Sequence, residues 1–262
     1  MKKRYGTYGI ITLSFVLSIV YAIVRIVLVD RFHVNGRSME PTLYTGDIIY
    51  VEKWTLGARI YTSYSFNTAE LSSFRMPGIG KLKSGDIIVF NSPEGGNPGE
   101  IGFRLNYVCA KRIIGIPGDT ISVVNGLFYN NNSHLSPRAN SEMMLQNKSV
   151  KNDSVRSSQE KVLGSKVWTI KDYGPVVVPS KGCTMCFDSA TISVYGMAVE
   201  YESGRFPLAG ETYTFKGDWY FVGGDNVLGS RDSRHFGVIP VDYIIGRVMS
   251  MGHTDRVTTE WQ

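Results

Sequence analysis

The segment NGRSMEPTL, residues 35–43, stands where an apolar N-terminal run gives way to a polar, glycine-rich remainder. Gly36 lies two positions before Ser38 and allows the backbone to form a tight turn and approach a ligand closely. Pro41 stiffens the chain that follows. A serine in a turn is common in any protein, so Ser38 is a candidate nucleophile only if the chain also supplies a base.

The run upstream of this segment contains no charged residue over 5–24, a length of 20 residues. As an α-helix it would span about 30 Å, the thickness of a bilayer core. A cleaved signal peptide would be shorter and end in small residues, but residues 27–29 are bulky; a buried core helix would carry a polar face. We therefore expect 1–29 to form a cytoplasmic tip and a transmembrane anchor. The basic residues 2–4 favour a cytoplasmic N-terminus.

The rest of the chain, 30–262, reads as a mainly β extracytoplasmic domain. Short β-branched or apolar runs recur between turn residues, at 47–51, 86–90, 120–124, 176–178, 219–222 and 244–248. Asn125-Gly126 between two such runs predicts a hairpin. Polar residues 130–165 indicate the exposed part of an inserted β subdomain at about 126–210. Residues 55–79 are either a partly buried loop or hairpin, or a surface that rests on the membrane interface.

Composition excludes several classes of protein and site. With 43% hydrophobic and 19% charged residues, the chain is neither disordered nor a coiled coil nor a multi-span membrane protein. A net charge of +5 is too small to imply nucleic acid binding. Cys183 and Cys186 form a CxxC that lacks the second pair a zinc site needs, so they are either disulfide-bonded or free. We expect no metal and no organic cofactor.

The base that Ser38 needs is a histidine or a lysine. None of the four histidines lies in a recognisable triad motif, although His235 stays open as a candidate. Lys111 lies in an apolar, strand-like run, YVCAKRIIGIPGD at 107–119. Burial can lower a lysine pKa from about 10.4 to about 5–6, which makes the amine a usable base. The alternative is that Lys111 points to solvent while Ile113 packs inward.

Three segments, in order, resemble those of the bacterial type I signal peptidases, membrane-bound leader peptidases with a Ser/Lys dyad (peptidase family S26). They are GxSMxPTL at 36–43, KRxxGxPGD at 111–119, and GDN at 224–226 followed by SxDSRxxGxIP at 230–240. The resemblance covers most of the chain outside 55–79 and 130–205. It implies a signal-peptidase-like β fold with an inserted β subdomain.

The resemblance also implies roles for individual residues. Ser38 would attack the scissile carbonyl, Lys111 would act as general base, and Ser230 would orient the lysine. Asp232 and Arg234 would form an ion pair. The residues expected to support the site are Met39, Asp225, Asn226, Asp232 and Arg234.

Two positions depart from relatives that the motifs resemble. The Ser38 backbone N–H is one expected oxyanion donor, but where some relatives place a serine as the second donor this chain has Gly36. Loss of such a donor costs about 10²–10³ in rate where it is used. Arg231 replaces the small residue expected between Ser230 and Asp232, and it places a bulky cation near the site.

Together these features predict a single-pass serine endopeptidase of the inner (cytoplasmic) membrane. Its expected partners are the lipid bilayer and exported preproteins, whose signal peptides it would remove after small residues in an Ala-x-Ala pattern, as a monomer and without nucleic acid. One alternative is a specialised maturation peptidase with the same Ser/Lys chemistry. Another is a catalytically silent, membrane-anchored β module that binds peptides.

Overall fold

The computed structural model describes residues 2–62, 73–93, 107–135, 162–163, 166–227 and 229–252. Most of the polar stretch 130–165 and the middle of 55–79 lie outside the described residues, as does His253.

The chain begins with helix α1 (Lys2–Ile23), which continues as a π-helical turn (Val24–Leu28) before strand β1 (Val29–His33). Within the described ranges one helical stretch, the 21 residues Tyr8–Leu28, is long and apolar enough to cross a membrane. None of its most apolar window is buried against the rest of the protein, so the core-helix alternative is wrong. Apolar side chains exposed all around a helix are typical of contact with lipid.

The end of this helix is tied to the domain by a small polar network. The Lys53 ammonium donates to the Arg25 carbonyl oxygen at 3.0 Å and contacts the Asp30 carboxylate at 3.3 Å. The Arg25 guanidinium lies 2.7 Å from the same carboxylate. These contacts satisfy a carbonyl at the helix terminus and fix how the helix meets the first strand.

A seven-stranded antiparallel sheet forms the body, in the order β1-β2-β17-β5-β6-β15-β16. Its further strands are β2 (Ile48–Glu52), β5 (Ile87–Asn91), β6 (Val108–Gly115), β15 (Trp219–Gly223), β16 (Ile239–Pro240) and β17 (Ile244–Gly252). β5 and β15 are buried along their whole length, which explains their continuous apolar sequences. The C-terminal strand β17 inserts between β2 and β5, so distant parts of the chain share one sheet.

A second sheet has four strands in the order β12-β7-β8-β9. They are β7 (Thr120–Val124), β8 (Leu127–Asn130), β9 (Ser133–Leu135) and β12 (Tyr173–Val177). The predicted hairpin at Asn125-Gly126 is confirmed: both residues have positive φ, 53° and 83°, as a type I′ turn requires.

Three short antiparallel pairs complete the strands. They are β3 (Arg59–Tyr61) with β4 (Ser73–Arg75), β10 (Val162–Leu163) with β11 (Lys166–Val167), and β13 (Thr184–Cys186) with β14 (Thr212–Thr214). The pairing of β3 with β4 makes the described part of 55–79 a hairpin. The mainly β prediction is confirmed, and every predicted run lies on or beside a strand.

One element was not anticipated from the sequence: helix α2 (Ser189–Ser203). Its β-branched and aromatic residues favour a strand on propensity alone. The signal that could have revealed it is the capping box. In this motif the Asp188 carboxylate accepts from the Thr191 N–H, and the Thr191 hydroxyl oxygen accepts from the Asp188 N–H. Gly196 lets the Phe206 ring pack directly against the helix backbone, because a Cβ at this position would lie 2.4 Å from the ring. The remaining helical turns are α3 (Ser233–Phe236) and a 3₁₀ turn (Val241–Tyr243).

The small sheet shares its core with the large one. Ile114 of β6, Phe128 of β8, Val199 of α2 and Trp219 of β15 belong to one buried cluster. The small sheet also begins at Thr120, before the predicted start of the insertion. The boundaries at about 126–210 stay a prediction.

Cys183 and Cys186 are not joined by a disulfide. The segment from Thr184 to Cys186 is an extended strand, in which residues three apart are separated by about 10 Å and point to opposite faces. A disulfide needs Cα atoms within about 7 Å, so the CxxC spacing cannot close here.

The Glu202 carboxylate offers a test of how α2 is fastened to the sheets. It accepts hydrogen bonds from the Trp219 indole N–H at 2.9 Å, the Tyr213 hydroxyl at 2.9 Å and the Lys216 backbone N–H at 2.7 Å. Trp219 is fully buried.

We expect Glu202→Ala to lower the free energy of unfolding by about 2–3 kcal/mol, because these donors lose a charged acceptor. Urea unfolding in detergent measures this; Glu200→Ala, two positions earlier, is the control, and equal losses would contradict the assignment.

Candidate active site

Ser38 lies in a tight turn that follows β1. The Thr42 and Leu43 N–H groups both donate to the Met39 carbonyl oxygen, at 2.8 and 2.9 Å. Met39 and Leu43 are almost completely buried and belong to a core cluster with Val51. The apolar residues of NGRSMEPTL therefore hold the turn against the sheet, while Ser38 stays partly exposed.

Lys111 faces Ser38 from strand β6. Its side chain is 4% exposed, and the Lys111 Nζ donates a hydrogen bond to the Ser38 Oγ. The register that pairs Lys111 with Ile88 of β5 fixes the direction of the side chain. The alternative in which Lys111 points to solvent is wrong.

Burial is the main influence on this amine, and it lowers the pKa of Lys111 because the charged form loses hydration. The acidic groups of Cys109, Asp232 and Asp225 act in the opposite direction without reversing the shift. A lysine held in this way has a larger neutral fraction at neutral pH than one in water, and only the neutral form can accept a proton.

The loop 224–226 clamps the backbone of the Ser38 turn. The Asn226 N–H donates to the Ser38 carbonyl oxygen at 3.1 Å, and the Asn226 side-chain amide donates to the Arg37 carbonyl oxygen at 3.0 Å. A Cβ at Gly224 would lie 2.5 Å from the Ser38 carbonyl oxygen and 2.1 Å from the Ser230 Oγ. Sequence reasoning missed Gly224 as a site residue, although it opens the GDN motif.

Asp225 joins the Ser38 turn to strand β6. Its carboxylate accepts two hydrogen bonds from the Arg112 guanidinium, at 2.7 and 2.6 Å, and a third from the Thr42 hydroxyl. Asp225 is 2% exposed, whereas the Arg112 side chain is 19% exposed. The neighbours of Ser38 and of Lys111 are thus cross-linked through one carboxylate.

Asp232 and Arg234 form a fully buried, bidentate ion pair with contacts of 2.9 and 2.8 Å. Asp232 also accepts from the Gly224 N–H at 3.0 Å, and Arg234 donates to the Val227 carbonyl oxygen at 2.7 Å. Burial by itself would raise the pKa of the Asp232 carboxyl, but the Arg234 charge and these hydrogen bonds hold that pKa below its usual value. The pair therefore shapes the loop next to Ser38 from beneath.

Two predicted contributors are placed near the site without the expected contacts. The Ser230 Oγ is buried beside Gly224, but it has no hydrogen-bond partner among the described residues, so its role in orienting Lys111 stays a prediction. A Cβ at Gly36 would meet no atom within 4 Å, so packing does not require glycine there. The second oxyanion donor likewise stays open.

A cleft of about 640 Å³ opens on Ser38 and Lys111. Two continuous segments, 32–39 and 107–111, form most of its lining; the other lining residues are Ile49, Val89, Ser92, Gly229, Arg231 and Phe236. His33 is part of this lining, whereas His235 is not: its Nδ1 accepts from the Asp232 N–H at 3.3 Å. A serine hydroxyl that is hydrogen-bonded to a desolvated amine at an open cleft is the arrangement of a serine hydrolase.

Comparisons with known proteins agree with this class. The family model described as "Signal peptidase, peptidase S26" matches residues 8–251. A signal peptidase I of Bacillus caldolyticus is 27% identical over 238 residues, covering 89% of this chain and 85% of the relative. One from Rickettsia typhi is 25% identical and covers 98% and 82%; one from Buchnera aphidicola is 27% identical and covers 90% and 73%.

The chain therefore belongs to the signal peptidase family, peptidase S26. It is a serine endopeptidase, and its N-terminal apolar helix is consistent with a membrane-anchored enzyme.

The buried ion pair beneath the loop yields a stability prediction. Asp232→Asn keeps the side-chain shape but leaves the Arg234 charge uncompensated, and we expect it to lower the free energy of unfolding by about 3–5 kcal/mol. Because folding depresses the Asp232 pKa, this contribution is present above the ordinary carboxyl pKa of about 4 and is lost as the pH falls through the folded value.

Urea unfolding of both forms between pH 7 and pH 3 measures the difference and its decline with acid. Glu211→Gln, which breaks the exposed pair with Arg205, is the matched control and should have little effect. A loss at Asp232 no greater than that at Glu211 would contradict the assigned role.

Proposed function

We propose that this enzyme removes signal peptides from exported preproteins, with Ser38 as nucleophile and Lys111 as general base. The observation that carries the proposal is the hydrogen bond between the buried Lys111 amine and the Ser38 hydroxyl. Membership of the signal peptidase family supports the same substrate class. The direct contact between the two groups also argues against a catalytically silent peptide-binding module.

The acylation step follows from this geometry. When Lys111 is neutral, the Ser38 O–H donates to its Nζ, and the amine takes the proton as Ser38 Oγ bonds to the scissile carbonyl carbon. The resulting ammonium then gives its proton to the leaving amine as the C–N bond breaks. The product is an ester between Ser38 and the signal peptide, together with the released N-terminus of the mature protein.

Hydrolysis of the ester uses the same base. Lys111 is neutral again once the amine has left, and it takes a proton from the attacking water. It returns this proton to the Ser38 Oγ as the ester C–O bond breaks, which releases the signal peptide with a free carboxyl terminus. The Ser38 backbone N–H donates to no described residue and is available to the oxyanion in both steps.

Two backbone edges beside the cleft suit an extended peptide. The pairing of β15 with β6 begins at Arg112, so β15 leaves the first four residues of β6 uncovered on that side. Across the cleft, the backbone bonds of the nucleophile segment to the 44–47 turn end at Val34, before Asn35 and Gly36. A substrate strand between these edges would place its scissile bond at Ser38.

The lining also bears on the choice of substrate side chain. Val34, Met39, Val89 and Ala110 line the cleft close to the two edges, and the first three are buried in the core. Because tightly packed walls do not move aside cheaply, they favour small residues before the cleaved bond, as in an Ala-x-Ala pattern.

The anchor would set the place of the reaction. With the N-terminus in the cytoplasm and Tyr8–Leu28 across the inner membrane, the cleft lies at the extracytoplasmic surface, where translocated signal peptides present their cleavage points. We propose that the enzyme acts there as a monomer. A specialised maturation peptidase would share this chemistry, and substrate profiling separates the two.

The dyad is tested by three alanine variants in a preprotein cleavage assay in detergent. We expect Ser38→Ala to abolish cleavage and Lys111→Ala to slow it at least about a hundredfold, because a general base contributes 10²–10⁴. His33→Ala, in the same cleft, should stay active. Full activity of either dyad variant, or loss on removing His33 alone, would show that the assignment is wrong.

The lowered Lys111 pKa predicts how activity depends on pH. Cleavage should decline as the pH falls through that pKa, because protonated Lys111 cannot accept the Ser38 proton. Initial rates from pH 9 to pH 4 test this, with tryptophan fluorescence at each pH as the control for unfolding. A flat profile down to about pH 4, below any tuned lysine pKa, would exclude a lysine base.

A further inference from the structure

Phe128 contacts both ends of the loop 223–234, which supports Ser38. It belongs to β8, is fully buried and is part of the core that the two sheets share. At one end of the loop, a Cβ at Gly223 would lie 3.1 Å from the Phe128 ring. At the other end, the Arg234 guanidinium carbon lies over that ring, 5.3 Å from its centroid. One side chain of the small sheet therefore contacts the loop where it begins and where it ends.

The Arg234 guanidinium is fully buried, so protein groups must take the place of its hydration. Its N–H groups donate to the Asp232 carboxylate, to the Val227 carbonyl oxygen at 2.7 Å and to the Ile170 carbonyl oxygen at 3.1 Å. Hydrogen bonds satisfy the edges of a guanidinium, whereas its flat faces are stabilised by an aromatic ring. Phe128 supplies this ring.

The position of Arg234 is transmitted to Ser38 through short contacts. The Asp232 carboxylate, which Arg234 binds, accepts a hydrogen bond from the Gly224 N–H at 3.0 Å. Gly224 lies so close to the Ser38 carbonyl oxygen that a Cβ would be 2.5 Å from it, and the Asn226 N–H donates to the same oxygen at 3.1 Å. A displacement of Arg234 would therefore move the groups that fix the Ser38 backbone. A misplacement of about 1 Å in an active site can cost about 10² in rate.

We propose that Phe128 is a positioning residue for the reaction at Ser38: its ring fixes the Arg234 guanidinium, and thereby the loop that holds the Ser38 backbone. Phe128 is not among the residues that line the cleft, so its loss should slow the chemical step and leave substrate binding little changed. The inference rests on the proposed function, because it assigns a supporting role in the same Ser38 and Lys111 chemistry.

The pH dependence of cleavage provides a second signature, because Arg234 also acts on Lys111. Burial is the largest influence and lowers the Lys111 pKa; the Arg234 charge lowers it further, whereas Cys109, Asp232 and Asp225 raise it. Without the ring, Arg234 would be held less firmly and its influence on the amine would weaken. The Lys111 pKa would then rise, and the decline of activity in acid would begin at a higher pH.

The test compares Phe128→Leu with Phe215→Leu in the full-length enzyme. Phe215 is a matched control, because it is a buried phenylalanine of the same core whose ring contacts lie outside the loop, with Tyr195, Tyr213 and Trp219. We expect Phe128→Leu to lower kcat for preprotein cleavage about tenfold with KM nearly unchanged, and to move the acid decline to higher pH. Phe215→Leu should keep the wild-type kcat and pH profile, even where urea unfolding shows a similar loss of stability.

Loss of a buried ring can prevent folding, so a second variant keeps the ring. A phenylalanine fluorinated at both meta positions, introduced at position 128, retains the shape of the side chain but weakens the negative face of the ring. This enzyme should fold as the wild type does and still have a lower kcat. An unchanged kcat in the fluorinated enzyme, or equal effects of Phe128→Leu and Phe215→Leu on kcat and pH profile, would overturn the proposal. Failure of the wild type to cleave any preprotein would instead count against the proposed function.

Discussion

The burial of one amine beside one hydroxyl is the constraint on which the rest of this structure depends. A lysine in water holds its proton too tightly to serve as a base. To act as the proposed base, Lys111 has to be taken out of solvent and still be within hydrogen-bond reach of Ser38. Its place on β6, between β5 and the Ser38 turn, meets both demands. Met39 and its core neighbours exclude water from one side while the cleft leaves Ser38 accessible.

Such an amine needs neighbours that do not rearrange. Asp225 connects Arg112 to Thr42, and Asn226 binds the Ser38 carbonyl directly. The buried pair of Asp232 and Arg234 supports the same loop through the Gly224 N–H. Burial is the largest influence on the Lys111 pKa and lowers it; the Asp232 and Asp225 carboxylates raise this pKa, and the Arg234 charge lowers it.

Much of the site could be predicted from sequence because its residues lie in short, ordered motifs. Ser38, Lys111 and the GDN loop each lie in a motif that is visible in the sequence alone, and the hairpin at Asn125-Gly126 follows from local turn chemistry. The misses have physical reasons. Helix α2 has strand-like composition and is held by tertiary contacts such as those of Glu202 with Trp219, while the CxxC spacing says nothing about whether its backbone is extended. Gly224 was not predicted because only the folded structure brings Ser38 and Ser230 so close to it that a Cβ has no room.

By itself, the sequence determined the apolar N-terminal helix, the mainly β body and the identity of the chemical groups, since each of these depends on composition or on neighbours close along the chain. The tertiary structure alone decided that Lys111 is buried and hydrogen-bonded to Ser38, 73 positions earlier in the chain. It also decided that the Ser230 Oγ has no hydrogen-bond partner among the described residues. It also decided that Arg231 faces the cleft. The reason is that burial and the distance between two side chains depend on the three-dimensional arrangement of the strands, which here pair across distant parts of the chain.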